Sequence, residues 1–250
     1  MTVSALLFDL GQTLLDYGPQ ERWPRFRIER MAELYPLVCE LCGRPALSPS
    51  AFGDLVGGAL QTDELRAREH SGLSRPFAER MRQALAAAGI TPDGHRLEQL
   101  AEAFHAPVRE WPRPYPETAA ALAGLRALGL KMAIITNAPW DCPGRMLYAD
   151  LERWDLRRFF DAFVGSGEVP WRKPNPEFMW AAARALTTPP EQCLVVGDSL
   201  MADIGGARAA GMYCVWINRD AAAASEEHPR PDRVARSLSE VSAIIQGRGG

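Results

Sequence analysis

The sequence predicts an α/β fold: a parallel-sheet core that carries an inserted all-helical module. Three observations lead there. Short apolar runs alternate with helical stretches beyond Pro112-Arg113-Pro114, which implies parallel strands joined by right-handed crossovers. A single apolar run, Val3 to Phe8, stands far upstream of that alternation and ends at Asp9. Between the two, from about Gln20 to Arg109, the chain is rich in Ala, Leu, Glu and Arg with apolar residues at helical spacing, as in Met81, Leu85 and Ala88.

Val3 to Phe8 reads as a fully buried strand that delivers an acid at its carboxyl end. Gly43-Arg44-Pro45, Ser71-Gly72, Gly89 and Asp93-Gly94 divide the next stretch into about four helices with no convincing strand. Glu117 to Leu128 is a helix closed by Gly129. Met132 to Ile135 is a strand running into Thr136-Asn137, and Gly144 to Trp154 is helical. Ala162-Phe163-Val164 is a short strand, and Pro176 starts a helix to Leu186 from its first turn. Cys193 to Val196 is a strand ending in Gly197-Asp198, followed by a helix over Ala202 to Ala210, a strand over Tyr213 to Ile217 and a helix over Leu238 to Ile245.

Composition narrows the function. Hydrophobic residues make up 47% and charged residues 24%, close to the globular average and unlike disordered or fibrous chains. With 28 basic and 31 acidic residues the net charge is −3, which offers no footprint for nucleic acid. MTVSALLFDL has no basic leader and meets Asp9 at once, so no signal peptide is expected, and no apolar run approaches a membrane span. Five scattered cysteines fit a reducing cytoplasm, and Cys39 and Cys42 read as free thiols ending a helix before Gly43. Among the basic residues only Lys131 and Lys173 are lysines.

Ligands of open α/β sheets bind outside the carboxyl ends of the strands. Three strand ends therefore bring Asp9, Thr136, Asn137 and Asp198 to one crevice, within reach of Lys173 and of Asp203 at the start of the next helix. Carboxylates gathered in one pocket repel unless a cation joins them, and hard oxygen ligands suit Mg²⁺. With a lysine for fixed positive charge and Thr and Asn as neutral donors, the pocket suits a phosphoryl group. An aspartate can also attack and form an aspartyl-phosphate.

These residues stand in four strings: Phe8-Asp9-Leu10-Gly11-Gln12-Thr13-Leu14, Ile134-Ile135-Thr136-Asn137, Arg172-Lys173-Pro174-Asn175-Pro176-Glu177-Phe178, and Gly197-Asp198-Ser199-Leu200-Met201-Ala202-Asp203-Ile204-Gly205-Gly206-Ala207. Together, in this order, they resemble the four motifs of the haloacid dehalogenase (HAD) superfamily. The resemblance implies a Rossmann-like core over residues 1–16 and 112–250, with a helical cap of the C1 type over 17–111. It implies Asp9 as nucleophile and metal ligand, the Gly11 carbonyl as a further ligand, and Asp198 and Asp203 completing a Mg²⁺ site. Thr136 and Asn137 would hold phosphoryl oxygens, and Lys173 would neutralise Asp9 and the phosphate. The implied protein is a cytoplasmic phosphatase of small phosphorylated metabolites, a monomer or homodimer without nucleic-acid or membrane partners.

The sequence departs from the phosphatase pattern at one position. Most such enzymes carry a second aspartate two residues after the first, and here that residue is Gly11, which transfers no proton. General acid–base groups typically supply about 10²–10⁴-fold in rate. The loss weighs most on alkyl phosphates and less on anhydrides, acyl phosphates and anomeric sugar phosphates. Gln12 is placed on the substrate side, orienting water, and Asp16 is a substitute acid that more plausibly faces the hinge. A 2-haloacid dehalogenase, with Asp9 attacking carbon, also lacks the second aspartate, but makes poor sense of Asp198 and Asp203. A phosphonoacetaldehyde hydrolase needs a cap lysine, and residues 20–110 contain none. A catalytically weak binding module of the same fold is the non-enzymatic alternative.

Substrate choice is expected from the cap and its hinge, where Arg22 or Arg25 is a candidate grip for a remote anion, set against a solvated helix face. Trp111, Trp140 and Trp171 flank the motifs and either wall the crevice or pack the cap–core junction. Lys131 precedes a strand and reads as structural.

Overall fold

A computed structural model describes residues 2–18, 22–69, 73–138 and 141–247. The chain opens with strand β1 (Ala5–Phe8) and a short β2 (Leu15–Asp16), then passes through α1 (Arg22–Glu33), α2 (Tyr35–Cys42), α3 (Pro49–Phe52), α4 (Gly58–Glu69), α5 (Phe77–Ala86) and α6 (Gly94–His105). It returns through β3 (Arg113–Pro114) to an alternating half: α7 (Thr118–Ala127), β4 (Lys131–Thr136), α8 (Gly144–Arg153), β5 (Ala162–Gly165), α9 (Pro176–Ala185), β6 (Cys193–Gly197), α10 (Gly205–Ala209), β7 (Tyr213–Ile217), β8 (Arg233–Ala235) and α11 (Leu238–Ile245).

Six parallel strands form one sheet in the order β5-β4-β1-β6-β7-β8. Strand order reverses between β1 and β6, and the crevice of a doubly wound sheet opens at such a switch point. β1 lies in register with β4 and β6, Phe8 opposite both Ile134 and Val196, so the residues after these strands leave the sheet at one level. The strands read as continuous apolar runs because both faces are covered. Leu6, Phe8, Ile134 and Val196 face one core layer, while Ala5, Leu7, Ile135 and Val195 face the other. The first layer continues into the helical insertion through Met31, Phe52 and Phe104.

The insertion leaves and rejoins the core through an antiparallel pair, Leu15 opposite Pro114 and Asp16 opposite Arg113. Its described residues hold six α-helices where the spacing predicts about four. The extra helices are short or closely spaced, and the side chains of Ser48 and Asp93 cap two of them by accepting from Ala51 and Arg96 N–H. The sheet likewise has a sixth strand, β8, absent from the sequence reading because its three residues RVA form no apolar run. Lys131 donates to the carbonyls of Leu186 and Thr187 at 2.6 and 3.4 Å, a cation at the carboxyl end of α9. All five cysteines are free thiols, and α2 ends at Cys42 before Gly43 at φ 89°. Among the described residues no helix is long and apolar enough to cross a membrane.

Candidate active site

Asp9 follows β1 and Asp198 follows β6, the two strands that flank the switch point, and the Asp9 N–H donates to Val196 O at 2.9 Å. Asp203 enters from a single π-helical turn, Leu200–Ile204, and accepts from Ser199 N–H at 3.0 Å. That approach depends on Gly197: a Cβ there would lie 2.3 Å from the Asp203 carboxyl. Oxygens of Asp9, Asp198 and Asp203 all lie within 4.8 Å of one another.

Lys173, only 4% exposed, reaches into this cluster. Its Nζ donates to Asp9 Oδ1 at 2.5 Å, Asp203 Oδ1 at 2.7 Å and Ile135 O at 3.1 Å. Burial acts to lower the ammonium, but Asp203 and Asp9 outweigh it and hold Lys173 above the ordinary lysine range. Two of the carboxylates, Asp9 and Asp198, are held above the ordinary carboxylate range. Burial raises Asp9 to about 6 against the pull of Lys173. Burial together with Asp9 and Asp203 raises Asp198 to about 8. Three carboxylates share one ammonium, and the excess negative charge, presented as hard oxygen donors, fits a divalent cation such as Mg²⁺.

Thr136, 4% exposed, ends β4 at the same level. Asn137 follows it, but its amide is turned on Lys173 rather than offered to a ligand. Nδ2 donates to Lys173 O at 3.0 Å and Oδ1 accepts from Lys173 N–H at 2.8 Å. Gln12, at φ 60°, is likewise committed: Nε2 donates to Gly18 O and Oε1 accepts from Tyr17 N–H. Both amides expected on the substrate side therefore brace main chain instead. Gly11 bridges to Leu15 within the turn after β1. Asp16 accepts from Gly18 N–H at 2.7 Å, closing its own turn. Arg25 pairs with Glu29 and is 84% exposed on its side chain, as on a solvated face. Trp111 packs edge-on against Trp23 and Phe26 at 5.0 and 4.9 Å, and Trp171 bridges to Leu73. Trp140 and the Arg22 side chain lie outside the described residues.

Four supporting residues escaped the sequence reading. Thr13 Oγ1 donates to Asp198 Oδ1 at 3.3 Å, and Trp216 Nε1 donates to Asp198 O at 2.8 Å. Arg219 holds the carbonyl of Thr13. Tyr17 lays its ring beside Gly11, 3.6 Å from where a Cβ would stand, and donates its hydroxyl to buried Asp150 at 3.0 Å. The strand-end rule that found Asp9 and Asp198 also applies to β7, and would have pointed to Arg219.

A doubly wound sheet whose switch point gathers carboxylates around one buried lysine is a Rossmann-like enzyme core. Residues 3–211 match the profile of the haloacid dehalogenase-like hydrolases, and the chain belongs to that family. A phosphoserine phosphatase from Thermus thermophilus is 39% identical over 145 residues, 58% of this chain and 55% of the relative, so the match spans about half of that protein. A phosphoglycolate phosphatase from Neisseria gonorrhoeae is 36% identical over 249 residues, covering 98% of this chain and 94% of the relative. Among solved structures, a 2-haloacid dehalogenase from Pseudomonas syringae pv. tomato superposes over 100% of both chains with a TM-score of 0.68 at 22% identity. A HAD phosphatase from Thermococcus onnurineus covers 99% of this chain and 100% of its own, with a TM-score of 0.64 at 23% identity. These two share the fold.

Proposed function

We propose that this hydrolase is a Mg²⁺-dependent phosphatase of a small phosphorylated metabolite in the cytoplasm, working through an aspartyl-phosphate on Asp9. The observation that carries the reading is the triad of Asp9, Asp198 and Asp203 within 4.8 Å around buried Lys173. Relatives named for phosphoserine, phosphoglycolate and glyceraldehyde 3-phosphate support a small phosphate ester.

Asp9, Asp198, Asp203 and the Gly11 carbonyl would hold Mg²⁺, which supplies charge neutralisation at the phosphoryl oxygens. Lys173 donates to Asp9 Oδ1, and in this mechanism Oδ2 is the oxygen that attacks phosphorus. Thr136 and the Lys173 ammonium bind the equatorial oxygens, and Asn137 serves by fixing the Lys173 main chain. The bond from phosphorus to the leaving oxygen breaks as the Asp9–phosphorus bond forms. The leaving group departs as a stable anion or takes its proton from water, since Gly11 offers none. Water then attacks the aspartyl-phosphate, releasing phosphate and restoring Asp9. Residues 17–111 serve as the cap that excludes bulk water during these steps.

Phosphate release from p-nitrophenyl phosphate, acetyl phosphate and sugar 1-phosphates, each with Mg²⁺ and with chelator, tests the reading. Turnover that needs Mg²⁺ is expected, fastest on the better leaving groups. Halide release from a 2-haloacid without metal would replace the reading by a dehalogenase, whose carboxylate substrate would have to enter beside three acidic side chains. No turnover on any substrate would leave a binding module.

A further inference from the structure

We infer that Arg219, at the carboxyl end of β7, is a positioning residue that sets the Asp198 carboxylate for metal binding by holding Thr13. The inference rests on the metal site of the proposed function.

Asp198 is gripped from two sides. Its carbonyl accepts from Trp216 Nε1 at 2.8 Å, and its carboxylate accepts from Thr13 Oγ1 at 3.3 Å. Thr13 is fully buried in the turn after β1, so the direction of its hydroxyl follows from where its own peptide is held. Arg219 holds that peptide, Nη2 donating to Thr13 O at 3.1 Å. The guanidinium is itself immobilised. Nη1 donates to Glu117 Oε1 at 2.7 Å, and the cation lies 3.6 Å from the centre of the Tyr115 ring. One planar fork thus satisfies two acceptors while stacking on an aromatic face, a combination that lysine cannot reproduce.

The partners also lie on different passages of the chain. Thr13 precedes the departure of the insertion at β2, whereas Tyr115 and Glu117 follow its return at β3. Leu14 O joins the same junction, accepting from the Thr118 hydroxyl at 2.9 Å and from Tyr115 N–H. Arg219 therefore ties both crossings to the end of β7, beside the residue whose carboxylate must meet the metal. Removing it takes away the hydrogen bond that holds the Thr13 carbonyl.

The test combines 5-fluorotryptophan NMR with Mg²⁺ titration. Trp216 is one of 7 tryptophans, and its signal is assigned by its loss in Trp216→Phe. In metal-free protein, Arg219→Ala is expected to shift or broaden the Trp216 signal while leaving that of Trp180 in place. The Mg²⁺ concentration for half-maximal turnover is expected to rise about 5- to 10-fold, the loss of roughly one hydrogen bond's worth of alignment, with kcat at saturating Mg²⁺ little changed. Arg219→Lys, which keeps the charge without the fork, should fall between. An unmoved Trp216 signal together with unchanged Mg²⁺ demand would overturn the inference, even if the variant melts earlier. Should the wild-type protein not respond to Mg²⁺ at all, the proposed function fails, and a Trp216 signal unmoved in metal-free Arg219→Ala would then overturn the Arg219 inference as well.

Discussion

Both ends of the Asn137 side-chain amide close on the main chain of one residue, Lys173, at 3.0 and 2.8 Å. The pair joins the ends of two chain segments 36 residues apart and fixes the base of the only lysine in the crevice. On the proposed mechanism, Asn137 therefore acts on chemistry at one remove. Asn137→Ala should lower kcat by about 10- to 100-fold, since two net hydrogen bonds of about 1 kcal/mol each are lost. KM for Mg²⁺ should change little. Steady-state kinetics that separate the two parameters check this.

Lys173→Arg conserves charge and should still cost more than about 100-fold in turnover. The ammonium meets three acceptors at 2.5 to 3.1 Å in a space where its side chain is 2% exposed. A guanidinium is broad and planar, and its burial there forces the carboxylates apart. Near-wild-type phosphate release by the arginine variant would remove the point-charge argument.

Gly197→Ala should destabilise the protein by about 1–3 kcal/mol, the usual range for overpacking. The added Cβ would stand 2.3 Å from the Asp203 carboxyl and must displace it from Lys173 and Ser199. Thermal melting with and without Mg²⁺ checks both parts: a lower melting point, and a smaller gain on adding metal.

Gly11→Asp is the one substitution expected to add activity. A Cβ at this position meets the Tyr17 ring at 3.6 Å, an ordinary contact, so the backbone accepts a side chain there. A proton donor in that position should raise hydrolysis of alkyl phosphates at least about 10-fold, at the low end of general-acid effects. Acetyl phosphate, which needs no such donor, should gain much less. The ratio of the two rates is the measurement, and an unchanged ratio would count against a missing acid as the limiting feature.

The acidic cluster sets the pH dependence. Without metal, burial raises Asp9 to about 6 and Asp198 to about 8, against an ordinary 3.8. Mg²⁺ takes ionised carboxylates, so binding at pH 6.5 should release protons, and affinity should climb with pH until about 8. The sign for stability is the reverse. Between pH 4 and 8 the metal-free native protein holds more protons here than the unfolded chain, so stability falls as pH rises through that window, and Mg²⁺ restores it. Calorimetric titration in buffers of different ionisation enthalpy, with melting in chelator, checks both signs.

The core and its crevice were readable because each strand is a continuous apolar run ending in a chemically distinctive residue. Asp9, Lys173, Asp198 and Asp203 converge because parallel strands in register end at one level, a property of topology that alternation alone reveals. The engagement of two side-chain amides with main chain was not legible, for a physical reason. Asn137 and Gln12 can serve a ligand or brace a neighbouring peptide, and only three-dimensional proximity decides. Arg219 was hidden by sequence distance, since its partners Thr13 and Glu117 lie 206 and 102 residues away. The two-residue strands β2 and β3 were invisible because neither is long enough to show a period.

Those two strands have one more effect. Pairing Leu15 with Pro114 and Asp16 with Arg113 sets the ends of residues 17–112 a single strand spacing apart, about 5 Å. To the six-stranded sheet, six helices amount to the loop of a hairpin. The entropy of closing a loop grows only with the logarithm of its length. An excursion this long thus leaves strand order and crossover hand untouched, although its helices share a core layer with the sheet.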